Sequence, residues 1–341
     1  MTACSLDRRR AFEPRSAPEA GFTLAELIIA TGLLLAVSAI VTSALVRMTN
    51  HQQTIWNRTE MHSGVRGATE LLQQEVGQAG RITLPGTVTL QSAVAGANPC
   101  VTATVTVATD AGGSPTAGMF VNELLTTLDG DNQETVTITA IPSSTQFTAC
   151  FTANHSIGAV VLPLGGFATG IVPPNIANGS TANLLKLYGD INGDGKMVYI
   201  EYYCDNGDAG TTGSFNLYRN VMPFDQAPPK PAVTNAMILL SNVHTNPPDP
   251  TTGAARPCFQ YQTATVNVNG TPYTFVLDVA VTLTVQTQQI DPITRQYQFE
   301  TKALLNVSPR NVFSAWELAG INYTNRVQPT PASITALLPS S

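Results

Sequence analysis

The hydrophobic pattern changes character twice along the chain. Residues 27–46, LIIATGLLLAVSAIVTSALV, carry no formal charge. At about 1.5 Å rise per residue such a helix spans roughly 30 Å, the hydrocarbon thickness of a bilayer. The run is apolar all round, the pattern of a membrane span rather than of a core-facing helix. Next, Met48, Ile55, Met61, Val65, Ala68, Leu72, Val76 and Ala79 recur mainly at intervals of three, four or seven, with Gln, Asn, Arg and Glu between them. That spacing predicts an amphipathic continuation of the same helix, stopped near Gly80, with Pro85 as a second stop signal. A helix over 22–79 is roughly 87 Å long.

Beyond residue 100 the period falls to two. Segments 101–108, 134–141, 146–153, 197–204, 215–221 and 237–243 alternate or are rich in β-branched residues, which predicts strands. Segments 259–268 and 271–286 flank Asn269-Gly270, a hairpin signal, and 295–307 is a further strand. No second helix is predicted. Pro/Gly/Asn-rich breaks fall at 93–99, 165–180, 227–231 and 246–257, and the three prolines after Gln328 predict a flexible tail over 326–341.

Composition narrows the function classes. Only 12% of residues are charged, with 17 Lys+Arg against 23 Asp+Glu and a net charge of −6. A charged share about half the usual one, with 43% apolar residues, is not that of a disordered chain. Nor is there the basic stripe of a nucleic-acid-binding protein, so no nucleic acid is expected as a partner. Arg8, Arg9, Arg10 and Arg15 precede the apolar run, while the next basic residues are Arg47 and Arg58. This asymmetry predicts a single-pass protein with a cytoplasmic N-terminus and its C-terminal domain outside. A cleaved secretory signal is the competing reading. The run is longer than a signal's apolar region, and no small-x-small cleavage pattern follows it.

Gly21-Phe22-Thr23-Leu24-Ala25-Glu26 places a carboxylate at the mouth of the apolar run. An acid within a spanning segment is unfavourable by about 2.5–3.5 kcal/mol on insertion scales, so it calls for a partner. A cut after Gly21 leaves a new α-amino group on Phe22, one helical turn from Glu26. The carboxylate then complements the helix N-terminus and is placed to pair with the amine of a neighbouring copy.

The hexad and the apolar residues after it resemble the prepilin leader and helix start of type IV pilins and type II secretion pseudopilins. The resemblance implies cleavage after Gly21 by a prepilin peptidase, N-methylation of Phe22, and a role for Glu26 in recruiting the subunit to a filament. Further on, the run 71–80 (LLQQEVGQAG), Leu217-Tyr218-Arg219, the segment 239–243 (LLSNV) and Arg310-Asn311 are similar in order and spacing to segments of PilW-type minor pilins. The expected architecture is therefore α+β, a pilin fold. It has a cleaved leader (1–21), a transmembrane and assembly helix (22–46), the amphipathic half of that helix (47–80), and an enlarged antiparallel β-sheet domain (81–325). The implied partners are the peptidase, other minor pilins, the major pilin and, before assembly, a bacterial inner membrane; the mature subunit then reaches the pilus at the cell surface. A J-like type II secretion pseudopilin is the alternative within the class.

Cys4 lies in the leader, and Cys100, Cys150, Cys204 and Cys258 remain in the mature chain. Four extracytoplasmic cysteines allow two disulfides in three connectivities. The pairing expected is Cys100–Cys150 with Cys204–Cys258, each pair lying in neighbouring strand regions. No Cys or His spacing suits a zinc site.

Asp190, Asn192, Asp194, Gly195, Lys196 and Glu201 satisfy the D-x-[DN]-x-[DN]-G-x5-E calcium-loop pattern. Side-chain oxygens of the first three, the Lys196 carbonyl and a bidentate Glu201 would then surround Ca²⁺. Against this, 197–204 reads as a strand, and an extended chain carries Glu201 far from the loop. The other reading is an Asp/Asn/Gly turn leading into that strand. No cofactor is otherwise required, and a calcium-dependent adhesin anchored by the helix is the alternative from a different function class. The acidic turn 129–134 is a weaker version of the same pattern. No nucleophile elbow, P-loop, zincin or dinucleotide motif occurs, so no enzyme is expected.

Overall fold

The computed structural model describes residues 21–205, 215–268 and 270–339, so residues 1–20, where a leader with Cys4 is expected, and Asn269 lie outside the described residues. A long apolar N-terminal helix, α1 (Leu24–Gln78), is followed by a large antiparallel β-domain, an α+β architecture. The chain divides into two compact units, up to Thr54 and from Ile55 onward. In the first, α1 exposes Leu27, Ile28, Leu34, Leu35 and Ile40 and is long and apolar enough to cross a membrane.

In the second unit, Val65, Ala68, Leu72, Val76 and Ala79 of α1 are buried in one core with Leu185, Leu187, Ile200, Leu217, Val279 and Leu283. Ile55 and Met48, expected on the same stripe, are exposed. The stripe is therefore a packing face only from Met61 onward.

The β-domain is not one enlarged sheet. β1 (Val88–Leu90), β2 (Val101–Thr109), β3 (Leu124–Asp129), β4 (Asn132–Ser143), β5 (Gln146–Phe151) and β6 (Val160–Pro163) close into an antiparallel barrel in the order β1-β2-β5-β4-β3-β6. Its interior is filled by Leu90, Val105, Val107, Leu125, Val136, Ile138, Phe147 and Phe151, so it is a packed core. The chain leaves for this barrel and returns from it at one place. Arg81 bridges Gly166, and the N–H of Phe167 donates to the Gly80 carbonyl at 2.9 Å.

The remaining strands form a second antiparallel sheet. β8 (Leu184–Gly189), β9 (Val198–Asp205), β10 (Phe215–Pro223), β11 (Ile238–His244), β12 (Phe259–Val268) and β13 (Thr271–Gln286) follow the order β12-β13-β11-β10-β9-β8, with β14 (Phe299–Val307) on the other edge of β13. The predicted hairpin is present, with β12 and β13 paired up to Val268 and Thr271. Cys100 is bonded to Cys150, beside the β2–β5 pairing, and Cys204 to Cys258, which joins β9 to the start of β12.

The C-terminal region departs most from expectation. The last sheet strand stops at Val307, and Arg310–Gly320 forms a second helix, α2, burying Val312, Ala315 and Ala319. Their three- and four-residue spacing is the mark of an amphipathic helix. The segment expected as a flexible tail is packed instead. Of its described residues, β15 (Val327–Gln328) pairs in parallel with β7 (Gly166–Phe167), and α3 (Ala332–Leu337) buries Ile334 and Leu337. Gln328 is buried, accepts from the Leu124 N–H at 3.0 Å and donates to the Leu124 and Leu164 carbonyls. The prolines around it punctuate a folded segment rather than release it.

Candidate functional site

At the helix start, Gly21 and Phe22 precede α1 and are exposed. The Thr23 N–H and hydroxyl donate to Glu26 Oε2 at 3.0 and 2.9 Å, and the Glu26 N–H donates back to Thr23 Oγ1 at 3.3 Å. This is a reciprocal capping box. It satisfies donors that the first helical turn leaves free. The Thr-x-x-Glu spacing that signals it was legible in the hexad, yet the carboxylate was read only as a charge. In a single chain Glu26 is folded back over its own first turn.

The other end of α1 gathers residues from distant segments. Glu75, buried on the helix, accepts from Arg219 Nε at 3.1 and 3.2 Å, from Arg219 Nη2, and from the Tyr202 hydroxyl. Burial, the Glu75 charge and the bond to it together hold the Tyr202 hydroxyl far above its ordinary value, so it stays a donor. Three residues on, Asn311 Nδ2 donates to the carbonyls of Gln78 and Ala79 at 3.0 and 3.4 Å, capping the end of α1. Gly80 follows with φ +81°, and a Cβ there would meet Val312 Cγ2 at 2.7 Å. Only glycine fits this turn. No role for Glu75 or Asn311 followed from periodicity, because an ion pair across 144 residues leaves no local pattern.

In the loop between β8 and β9, Asp190 and Asp194 are brought together, while Glu201 lies apart from them. Asp190 Oδ1 accepts from the Asp194 N–H at 3.1 Å, and Asp194 Oδ1 from the Lys196 N–H at 3.0 Å. The buried Asp190 Oδ2 faces Arg81 Nε at 3.6 Å. Asn192 and Lys196 are exposed. Glu201 stands on the strand rather than in the loop. It lies three pairs up the hairpin from Val198, about 10 Å along the strand. It is bound by the Tyr199 hydroxyl at 2.7 Å and Lys230 Nζ at 2.8 Å. The carboxylates thus hold a turn, with the Arg81 guanidinium as the nearby cation. Among the described residues no group of three or more His, Cys, Asp or Glu is placed to hold a metal ion. Beside the loop, a cavity of ≈ 560 Å³ is lined by Pro85, Met197, Val221, Met222 and Phe224, with Lys196 among its polar residues.

The weaker acidic turn is also internally satisfied. Glu134 accepts from Thr152, Ala153 and His155 Nε2, and Asp129 from the Ser156 N–H. Burial pushes the Glu134 carboxyl up, but these hydrogen bonds outweigh it and hold the group below its ordinary value.

No known protein family, curated protein or solved structure matches the chain.

Proposed function

We propose that the protein is a minor type IV pilin, a structural subunit of a complex that primes or caps the pilus. The observation that carries this reading is the helix start. A Gly-Phe junction lies immediately ahead of a capped helix whose first turn holds Glu26 and whose next residues are apolar and exposed. On this reading a prepilin peptidase cuts after Gly21 and methylates Phe22. The apolar face of α1 first lies in the inner membrane and then packs against other minor pilins and the major pilin. Glu26 exchanges its Thr23 donors for the amine of a neighbouring copy. The pilin-like segments also support it, since Glu75, Gly80, Arg219 and Asn311 are separate in sequence and meet at one end of α1.

Glu26→Ala is expected to block pilus assembly and leave membrane insertion intact. Thr23→Ala, which removes the hydroxyl of the cap and keeps the charge, is expected to assemble. Normal piliation in Glu26→Ala would refute the reading, and so would a mature protein that starts at Met1 rather than at N-methylated Phe22. A deletion that stops protein secretion but not piliation would move the chain to the pseudopilins.

A further inference from the structure

Across β8, β9 and β10, Lys186, Glu201 and Asn220 lie in one row, each directly paired with the next. Lys230 reaches the same row from the proline-rich connection after β10. Glu201 Oε1 accepts from Lys230 Nζ at 2.8 Å and from the Tyr199 hydroxyl at 2.7 Å, with Lys186 Nζ at 3.9 Å. The side chains of Lys186, Lys230 and Glu201 are 2%, 5% and 10% exposed.

Two features of this cluster are costly as it stands. Two ammonium groups share one carboxylate out of water, which leaves a buried charge without a counter-ion. Lys186 partly meets its own need by donating to the carbonyls of Asn178 and Leu338, and burial lowers its pKa. The second feature is Asn220, which is buried. Its Nδ2 donates to the Pro231 carbonyl at 3.3 Å, and its Oδ1 has no hydrogen-bond partner. Pro231 is the neighbour of Lys230, so the Asn220 amide is bonded to the backbone beside the lysine whose amine is held on Glu201. Facing side chains on paired strands have Cβ atoms about 4.5–5.5 Å apart, so Asn220 and Glu201 start side by side on one face of the sheet.

We propose that Lys230, Glu201 and Asn220 form a self-processing site that joins the Lys230 and Asn220 side chains through an amide bond. Glu201 takes a proton from the Lys230 ammonium, and the freed amine attacks Cγ of Asn220, forming the Nζ–Cγ bond. The Cγ–Nδ2 bond breaks as Glu201 passes its proton to the departing nitrogen. The second amine proton follows, and ammonium leaves. No oxidant, reductant or co-reactant is consumed. The excess positive charge departs with the ammonium, so Glu201 keeps Lys186 as its counter-ion, and the proline-rich connection is fastened to the sheet.

The test is mass spectrometry of the full-length chain, denatured and digested with a protease that cuts before Asp225, which separates Asn220 from Lys230. The expected result is one branched peptide containing both residues, lighter than the two parts by about 17 Da for the lost ammonia, rather than two free peptides. Two unlinked peptides at their sequence masses would overturn the proposal. So would a loss of ammonia confined to the Asn220 peptide, or a link from Lys186. Glu201→Gln is expected to release the two peptides, and complete linkage in that variant would remove Glu201 from the mechanism. Should the variant not fold, the wild-type digest alone decides.

Discussion

Replacing Glu75 tests whether the ion pair at the end of α1 holds the helix on the sheet. The residue is buried, so its ionised carboxylate is tolerated only because Arg219 and Tyr202 satisfy it. Glu75→Ala leaves the buried Tyr202 hydroxyl unpaired, an expected loss of about 1–3 kcal/mol. Breaking a fully buried ion pair costs about 3–5 kcal/mol. The Arg219 side chain is 26% exposed and can turn to water, which discounts that figure. Together these place the variant about 3 kcal/mol below wild type. Glu75→Gln, which keeps an acceptor for Tyr202, is expected to lose about 1–2 kcal/mol. The assay is urea unfolding of the full chain in detergent micelles, followed by circular dichroism, with Arg219→Ala and the double variant completing a cycle. A loss below about 1 kcal/mol for Glu75→Ala, or additive single changes, would refute the coupling.

Burial pushes the Glu123 carboxyl well above its ordinary value of 4.5, against a smaller opposing effect from the Phe120 N–H. The folded chain therefore keeps a proton that the unfolded chain loses. Stability falls as pH rises above 4.5, by up to about 1.4 kcal/mol per pH unit, until the folded-state pKa is reached. Glu123→Gln is expected to flatten that slope and raise the melting temperature at neutral pH; an unchanged pH profile would show that Glu123 is not the group responsible. Truncation after Gln328 removes Ile334 and Leu337, both fully buried, and takes the Leu338 carbonyl from Lys186. The expected loss is about 3–6 kcal/mol, read as a melting temperature at least ~6 °C lower. A tail that is merely appended would leave it unchanged.

The parts legible in the sequence were those whose pattern is local. Segments 259–268 and 271–286 are strands as read, because β-branched residues and a two-residue turn fix the hairpin within a short stretch. Strand β8, LLKLYG, was missed because it is buried almost throughout and shows no alternation. β1 is three residues long and β3, LLTTLD, carries three consecutive buried positions, so the barrel that needs both was read as part of one sheet. At the sites, the helix start was visible as a motif, while its capping geometry required Thr23 and Glu26 to be read together. Glu201 was drawn into a metal loop by spacing alone; its strand conformation, already evident from the alternation, carries it to Lys230 instead. Glu75 and Arg219 each sat in a recognised segment, and only the fold showed that they meet.

The bridge between Arg81 and Gly166 has a consequence for how this protein can change. The segment between them begins and ends a hydrogen-bond apart, so its length is not dictated by the frame of helix and sheet. Lengthening a closed excursion adds little entropic cost, about 0.6 kcal/mol per doubling. Lengthening or shortening the turns between the barrel strands therefore leaves the two ends where they were, provided the β3 contacts to Gln328 are kept. Loops of that segment can change in length while Glu75, Gly80 and Asn311 keep the end of α1 on the sheet.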